Sequence, residues 1–171
     1  MQFYKPNSSN SGNAVGFSFN SKEGALYVQF VKQTGPKSFK GGAKFNIKFS
    51  DAEIGAILNV IERDKEPKQP LFHQSEKGST SIRLENFPKP KEGAAPAYDG
   101  FTISVIPRAI EGGTNEKFGF WFNSAEERVL KEYLQFVLHH FFTAEYSAEK
   151  QRRQAATGSK AEKVDKPDPL A

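Results

Sequence analysis

The sequence predicts an α+β fold of two consecutive ββββα units, each an antiparallel sheet with its helix packed on one side. Three observations predict it. First, Lys44-Phe45-Asn46-Ile47-Lys48-Phe49-Ser50-Asp51-Ala52-Glu53 returns 73 residues later as Lys117-Phe118-Gly119-Phe120-Trp121-Phe122-Asn123-Ser124-Ala125-Glu126. Second, Phe45, Ile47 and Phe49 alternate with Lys44, Asn46 and Lys48, and Phe118, Phe120 and Phe122 alternate with Lys117, Gly119 and Trp121. Period-two alternation is the pattern of a half-buried strand. Third, each strand runs into a helix start: Ser50 or Asn123 stands at the N-cap, with Glu53 or Glu126 at the third helical position, the capping-box arrangement. The helices match too, Ile57 and Ile61 falling on Leu130 and Leu134.

In chain order, Gln2-Phe3-Tyr4 reads as a short strand and Ser8 to Asn13 as a loop. Val15, Phe17 and Phe19 alternate with small residues, and Leu26, Val28 and Phe30 with Tyr27, Gln29 and Val31, giving two strands separated by the turn 20–24. Thr34 to Gly42 is a Gly/Pro/Lys loop, followed by the strand 44–49 and a helix ending near Asp64. Pro67 and Pro70 stop that helix. The second unit repeats the order: a strand at 71–73, a turn over Glu76–Ser79, strands at 81–84 and 101–106 around the loop 87–100, and the strand 117–122. A helix then runs from Ser124 to about Tyr146, apolar on more than one face. The domain therefore spans 1–146, in units of about 1–66 and 67–146. The Ala/Lys/Glu/Gln-rich stretch 147–171 reads as a flexible tail. Its end, from Asp165 to Leu170, is a candidate segment for docking another protein.

The chain has 171 residues and no cysteine, which excludes disulfides, thiolate zinc sites and thiol catalysis. No apolar run approaches the ~20 residues of a membrane span, and the start lacks a secretory apolar segment, so an intracellular, cytoplasmic setting is expected. The three histidines show no metal-ligand spacing, and the double glycines at 41–42 and 112–113 precede no GK[ST]. No nucleophile, base and orienting group occur together, so neither an enzyme nor a cofactor is expected.

Charge is unevenly distributed. Residues 1–48 hold seven Lys and one Glu, net +6, whereas both helix regions are net acidic, −3 over 49–66 and −2 over 123–146. A basic sheet with acidic helices fits a polyanion on the sheet and disfavours a basic recognition helix in duplex DNA. The alternation turns Lys44, Asn46, Lys48, Lys117 and Trp121 away from the core, and Tyr27, Gln29 and Arg83 are expected on the same outer face. Phe39, between Lys37 and Lys40 in a glycine-rich loop, has little reason to be core. Tyr27, Lys32, Lys37, Phe39, Lys40, Lys44, Lys48, Arg83, Lys117 and Trp121 are the candidate nucleic-acid-binding residues. Aromatic rings stack bases and cations meet phosphates.

The duplicated KF-x-[IF]-x-F-[SN]-x-A-E element and two four-strand–helix units resemble the Whirly proteins and their positive-cofactor-four-like relatives over residues 1–146. The PUR-repeat proteins are the second choice. The Lys-Gly-Lys-Ala-Ala-like motif of plant Whirly proteins is not matched; Gly41-Gly42-Ala43-Lys44 stands nearest to it. The resemblance implies binding of single-stranded DNA, as in replication, repair, recombination or transcription, or of RNA as in the mitochondrial guide-RNA-binding relatives, with little sequence preference. It also implies homo-oligomerisation through the helices, here the helix at 124–146. The competing reading is a protein–protein scaffold whose sheet binds no polymer.

Overall fold

The computed structural model describes residues 1–62, 66–76, 78–87, 100–109 and 116–161. The elements are β1 (Gln2–Lys5), β2 (Asn13–Asn20), β3 (Ala25–Lys32), β4 (Lys44–Phe49) and α1 (Asp51–Ile61), then β5 (Leu71–Ser75), β6 (Gly78–Phe87), β7 (Gly100–Ala109), β8 (Phe118–Asn123) and α2 (Ser124–Ala161). Each unit is a four-stranded antiparallel sheet in sequence order, β1-β2-β3-β4 and β5-β6-β7-β8. The predicted ββββα duplication is therefore the observed one.

Both helix starts are built as their sequences dictate. Ser50 Oγ accepts from the Glu53 amide at 3.4 Å, and Glu53 Oε2 accepts from the Ser50 amide at 2.9 Å. In the second unit Asn123 Oδ1 accepts from the Glu126 amide at 2.9 Å, and Glu126 Oε2 from the Asn123 amide at 3.0 Å. Each exchange satisfies two donors that a helix terminus leaves orphaned. The capping glutamates also tie the units together. Glu53 contacts His73 Nε2 on β5, and Glu126 pairs with Lys5 Nζ of β1 at 2.7 Å. The first strand of each unit thus supplies the partner for the helix cap of the other.

One core serves both units. Phe118, Phe120 and Phe122 of β8 are buried, and β8 lies across the inner face of the first sheet. Phe122 meets Phe3 (ring centroids 5.3 Å apart), Phe17 (6.2 Å) and, within its own sheet, Phe101 (4.8 Å). Phe118 stacks on Phe45 of β4 at 5.7 Å. Aromatic side chains carry the largest apolar areas in a core, ~150–250 Å² each, and they meet best edge-on or offset.

Three expected boundaries are corrected, and the inner face of β8 meets the first sheet as well as α2. α1 packs on β6, β7 and α2, so it covers the second unit's sheet. The turn after β5 is tighter than Glu76–Ser79, since Ser79 already pairs with Gln74 in the ladder. α1 closes at Ile61 with Glu62 as C-cap, three residues before Asp64, and α2 continues past Tyr146 to Ala161. That extension is rich in Ala, Glu, Lys, Gln and Arg, which are strong helix formers, with no glycine before Gly158. The expected flexible end over 162–171, with its docking segment, and most of the loop 87–100 lie outside the described residues. Among the described residues no helix is long and apolar enough to cross a membrane.

Phe122→Ala should destabilise the protein by about 3–5 kcal/mol in urea denaturation, through lost burial and the cavity left behind. Phe72→Ala on β5, where the side chain is 60% exposed, should stay within about 0.5 kcal/mol of wild type. Comparable losses for both would contradict β8 as the centre of the core.

Candidate nucleic-acid interface

Register fixes what the first sheet shows to solvent. Its outer face carries three cross-strand rows: Tyr4–Ala14–Val31–Lys44, Gln2–Gly16–Gln29–Asn46, and Ser18–Tyr27–Lys48. Along each strand these positions alternate with the buried ones. Small residues of β2 form a low centre, while Tyr4, Tyr27, Lys44 and Lys48 stand exposed around it. Gln29 Nε2 donates to Asn46 Oδ1 at 2.8 Å, which leaves the other half of each amide facing solvent. Tyr27 Oη donates to Glu23 Oε2 at 2.6 Å. That bond to the carboxylate, with smaller contributions from desolvation and the Glu23 charge, raises the Tyr27 pKa, so its ring stays neutral far above physiological pH.

The β3–β4 loop rises beside this face. Phe39 is half-buried, with its ring 5.7 Å from that of Tyr4. Pro36 and Lys37 form the turn closed by the Ser38 amide on the Gly35 carbonyl at 3.0 Å, with Lys37 in the left-handed region at φ 54°. Lys37, Lys40, Lys44 and Lys48 are exposed and have no acidic partner among the described residues. Uncompensated cations around a polar and aromatic face form the electrostatic footprint of a polyanion site.

Arg83 and Trp121 belong to a different surface. They lie on the outer face of the second sheet, in the rows Arg83–Ser104–Gly119 and Glu85–Thr102–Trp121. These rows belong to the second sheet, which is separate from the one that carries Tyr27, Lys44 and Lys48. The single outer face expected from alternation is therefore two faces. Tyr27, Phe39, Lys44 and Lys48 come together with the loop residues Lys37 and Lys40, whereas Arg83 and Trp121 do not join them. Lys117 is exposed just before β8. Lys32 shares the inward parity of Val28 and Phe30. It reaches the start of β8, 3.7 Å from Glu116 Oε1 and 5.4 Å from the Phe118 ring centroid. Trp121 is half-buried, and the Lys5 ammonium sits over its ring at 3.7 Å while pairing with Glu126. A cation there is held by both the ring quadrupole and the carboxylate.

Sequence reasoning missed Gln2 and Tyr4 as members of the first face, and Lys5 as the cover of Trp121. The signal for the first two was present: in Gln2-Phe3-Tyr4-Lys5, an inward Phe3 requires an outward Gln2 and Tyr4. Lys5 had no such signal, because its partners come from the far end of the chain.

Trp121 is the sole tryptophan, so its emission reports this cover directly. Lys5→Ala should shift the emission to the red and make it more accessible to acrylamide. An unchanged spectrum and quenching constant would contradict the lysine cap.

No protein-family model matches the chain, and no curated protein matches its sequence. Solved structures do match its fold. WHY1 from Arabidopsis thaliana aligns with a TM-score of 0.62 at 15% identity, covering 100% of this chain and 96% of that one. A trypanosome MRP1/MRP2 structure aligns at 0.60 and 16% identity, covering 86% of each chain. A guide-RNA-binding protein complex bound to a gRNA aligns at 0.55 and 14%, covering 82% of this chain and 89% of that one. The chain has the Whirly-like fold, two ββββα units.

Proposed function

We propose that the protein binds single-stranded nucleic acid, without catalysis and with little sequence preference, on the outer face of its first sheet. The observation that carries this is a border of exposed lysines with no acidic partner among the described residues. Lys44 and Lys48 project from β4 beside the exposed amides and rings of β1 and β3, and Lys37 and Lys40 extend the border along the loop. Phosphates meet the lysines, bases stack on the aromatic rings, and the Gln29–Asn46 amides offer one donor and one acceptor to base edges. A structure of a guide-RNA-binding complex with its gRNA on the same fold supports the reading. Single-stranded DNA is the first ligand to test, and RNA is the alternative on the same face. α1 carries Asp51 and Glu53 and no basic residue, so it offers duplex DNA no basic recognition helix.

Trp121 lies on the second sheet under Lys5, so labelled strands report binding on the first sheet better than tryptophan emission. Anisotropy with labelled oligo(dT), oligo(U) and duplex should show single strands preferred and affinity falling as salt rises. Lys44→Ala and Lys48→Ala should each reduce the salt slope by about 1, with similar losses for different sequences. Absence of binding to any single strand at low salt would overturn the proposal.

The protein also self-associates in this reading, through α2. Val129 and Phe136 lie seven residues apart on one stripe of the helix and remain 55% and 54% exposed, with Phe142 (56%) beyond them. Native mass spectrometry should show a homo-oligomer that Phe136→Glu dissociates, whereas a strictly monomeric wild type would contradict this use of α2. Oligomers that ignore single strands would favour the scaffold reading.

A further inference from the structure

The geometry points to a socket for one unstacked nucleobase on the first sheet, between the Tyr4–Phe39 ring pair and Lys44, and to Gln33 as the residue that holds it in shape. This deepens the nucleic-acid reading and rests on it. The socket is a recess of about 170 Å³. That is below the ~300–1,000 Å³ of a small-molecule pocket, so it suits one flat ring with its backbone outside. Its floor is Ala14 and Gly16, its aromatic wall is Tyr4 and Phe39, and its polar rim is Gln29 and Lys44. Tyr4 is 54% exposed, and its hydroxyl donates to Gln2 Oε1. A base resting on the small floor would lie against the ring wall, present an edge to Gln29 and leave its phosphate within the reach of Lys44.

The wall joins two segments far apart in the chain, and Gln33 connects them. Its side chain is almost completely buried, at 6% exposure. Its Oε1 accepts from the amides of Asn7 and Gly12, both at 2.9 Å. Its Nε2 donates to the carbonyls of Asn7 (3.0 Å) and Gly35 (2.9 Å), with a longer contact to Asn10 Oδ1 (3.4 Å). One amide therefore locks the loop after β1, which follows directly from Tyr4, to the loop that carries Phe39. The fit requires glycine at position 12, where a Cβ would lie 2.4 Å from Gln33 Oε1 and 2.2 Å from the Lys5 carbonyl oxygen. A fully satisfied buried amide is the kind of group that specifies one arrangement of its neighbours. A wall ordered before the ligand arrives does not charge that ordering to binding. Gln33 is thus a positioning residue, and it touches no ligand itself.

The test compares labelled oligothymidylate with a strand of equal length and charge made of abasic residues. Stacking of ~1–3 kcal/mol per base corresponds to roughly 5- to 150-fold in affinity. Wild type should prefer oligothymidylate by a factor in that range. Phe39→Ala, Tyr4→Ala and Gly16→Leu should reduce that preference and leave abasic affinity unchanged. A Cβ at Gly16 meets nothing nearer than 3.6 Å, so a side chain can leave the backbone there without a clash at its first atom. Gln33→Ala should lower the same ratio while keeping the salt slope, which a general loss of folded protein would not do. If Gln33→Ala fails to fold, Phe39→Ala and Gly16→Leu carry the test. Equal wild-type binding of the two strands overturns the socket and leaves the phosphate-based reading standing. A wild-type preference that all these variants retain overturns its placement at this recess. Failure of both strands to bind overturns the broader reading as well.

Discussion

The contact between β8 and the inner face of the first sheet sets the rest of the architecture. A six-residue strand with phenylalanine at 118, 120 and 122 cannot be covered by its own helix alone. Pressed against Phe3, Phe17 and Phe45, it makes the two sheets into one core. α1 then finds its place on β6 and β7, away from its own sheet. The reciprocal pairs Lys5–Glu126 and His73–Glu53 follow from the same exchange, since each unit's first strand reaches the other unit's helix cap. The caps are therefore both local helix-start devices and tertiary links.

Much of this was legible in the sequence where one residue's neighbours decide its role. The strand–helix element, its caps and the inward or outward sense of each residue in β3, β4 and β8 follow from alternation and spacing. Lys32 could have been placed as well, because it continues the inward series of Val28 and Phe30. The partners of each face were not legible. Alternation says that Phe45 points inward but does not say whether a helix or a strand waits there, and Phe118 comes from the other unit. The end of α2 was misjudged because polarity was read as disorder, although Ala, Glu, Lys, Gln and Arg favour helix without needing a core.

The candidate site shows the same division. Lys44, Lys48 and Tyr27 were found because they alternate with buried residues on the same strand. Phe39 was found because an aromatic between two lysines in a glycine-rich loop has no core to join. Tyr4 was passed over because β1 is only four residues long, and so short a strand gives alternation little statistical weight. Gln33 was invisible for a different reason. Its significance lies in five hydrogen-bonding contacts to two loops, and a polar residue at a strand's end carries no pattern that announces them.

The duplication also explains why the two units cannot share one task. Lys48 and Trp121 occupy equivalent positions, yet they stand on different sheets. Trp121 then acquires a lysine cap from β1, so the most favourable ring for stacking is already engaged by a cation. The aromatic share of the first face falls instead to Tyr4, Tyr27 and Phe39, residues outside the repeated ten-residue element. That element builds the scaffold and supplies Lys44 and Lys48, while the unrepeated β1 strand and β3–β4 loop supply the socket wall. The socket wall thus comes from segments outside the repeated ten-residue element, although Phe3 of β1 also enters the shared core.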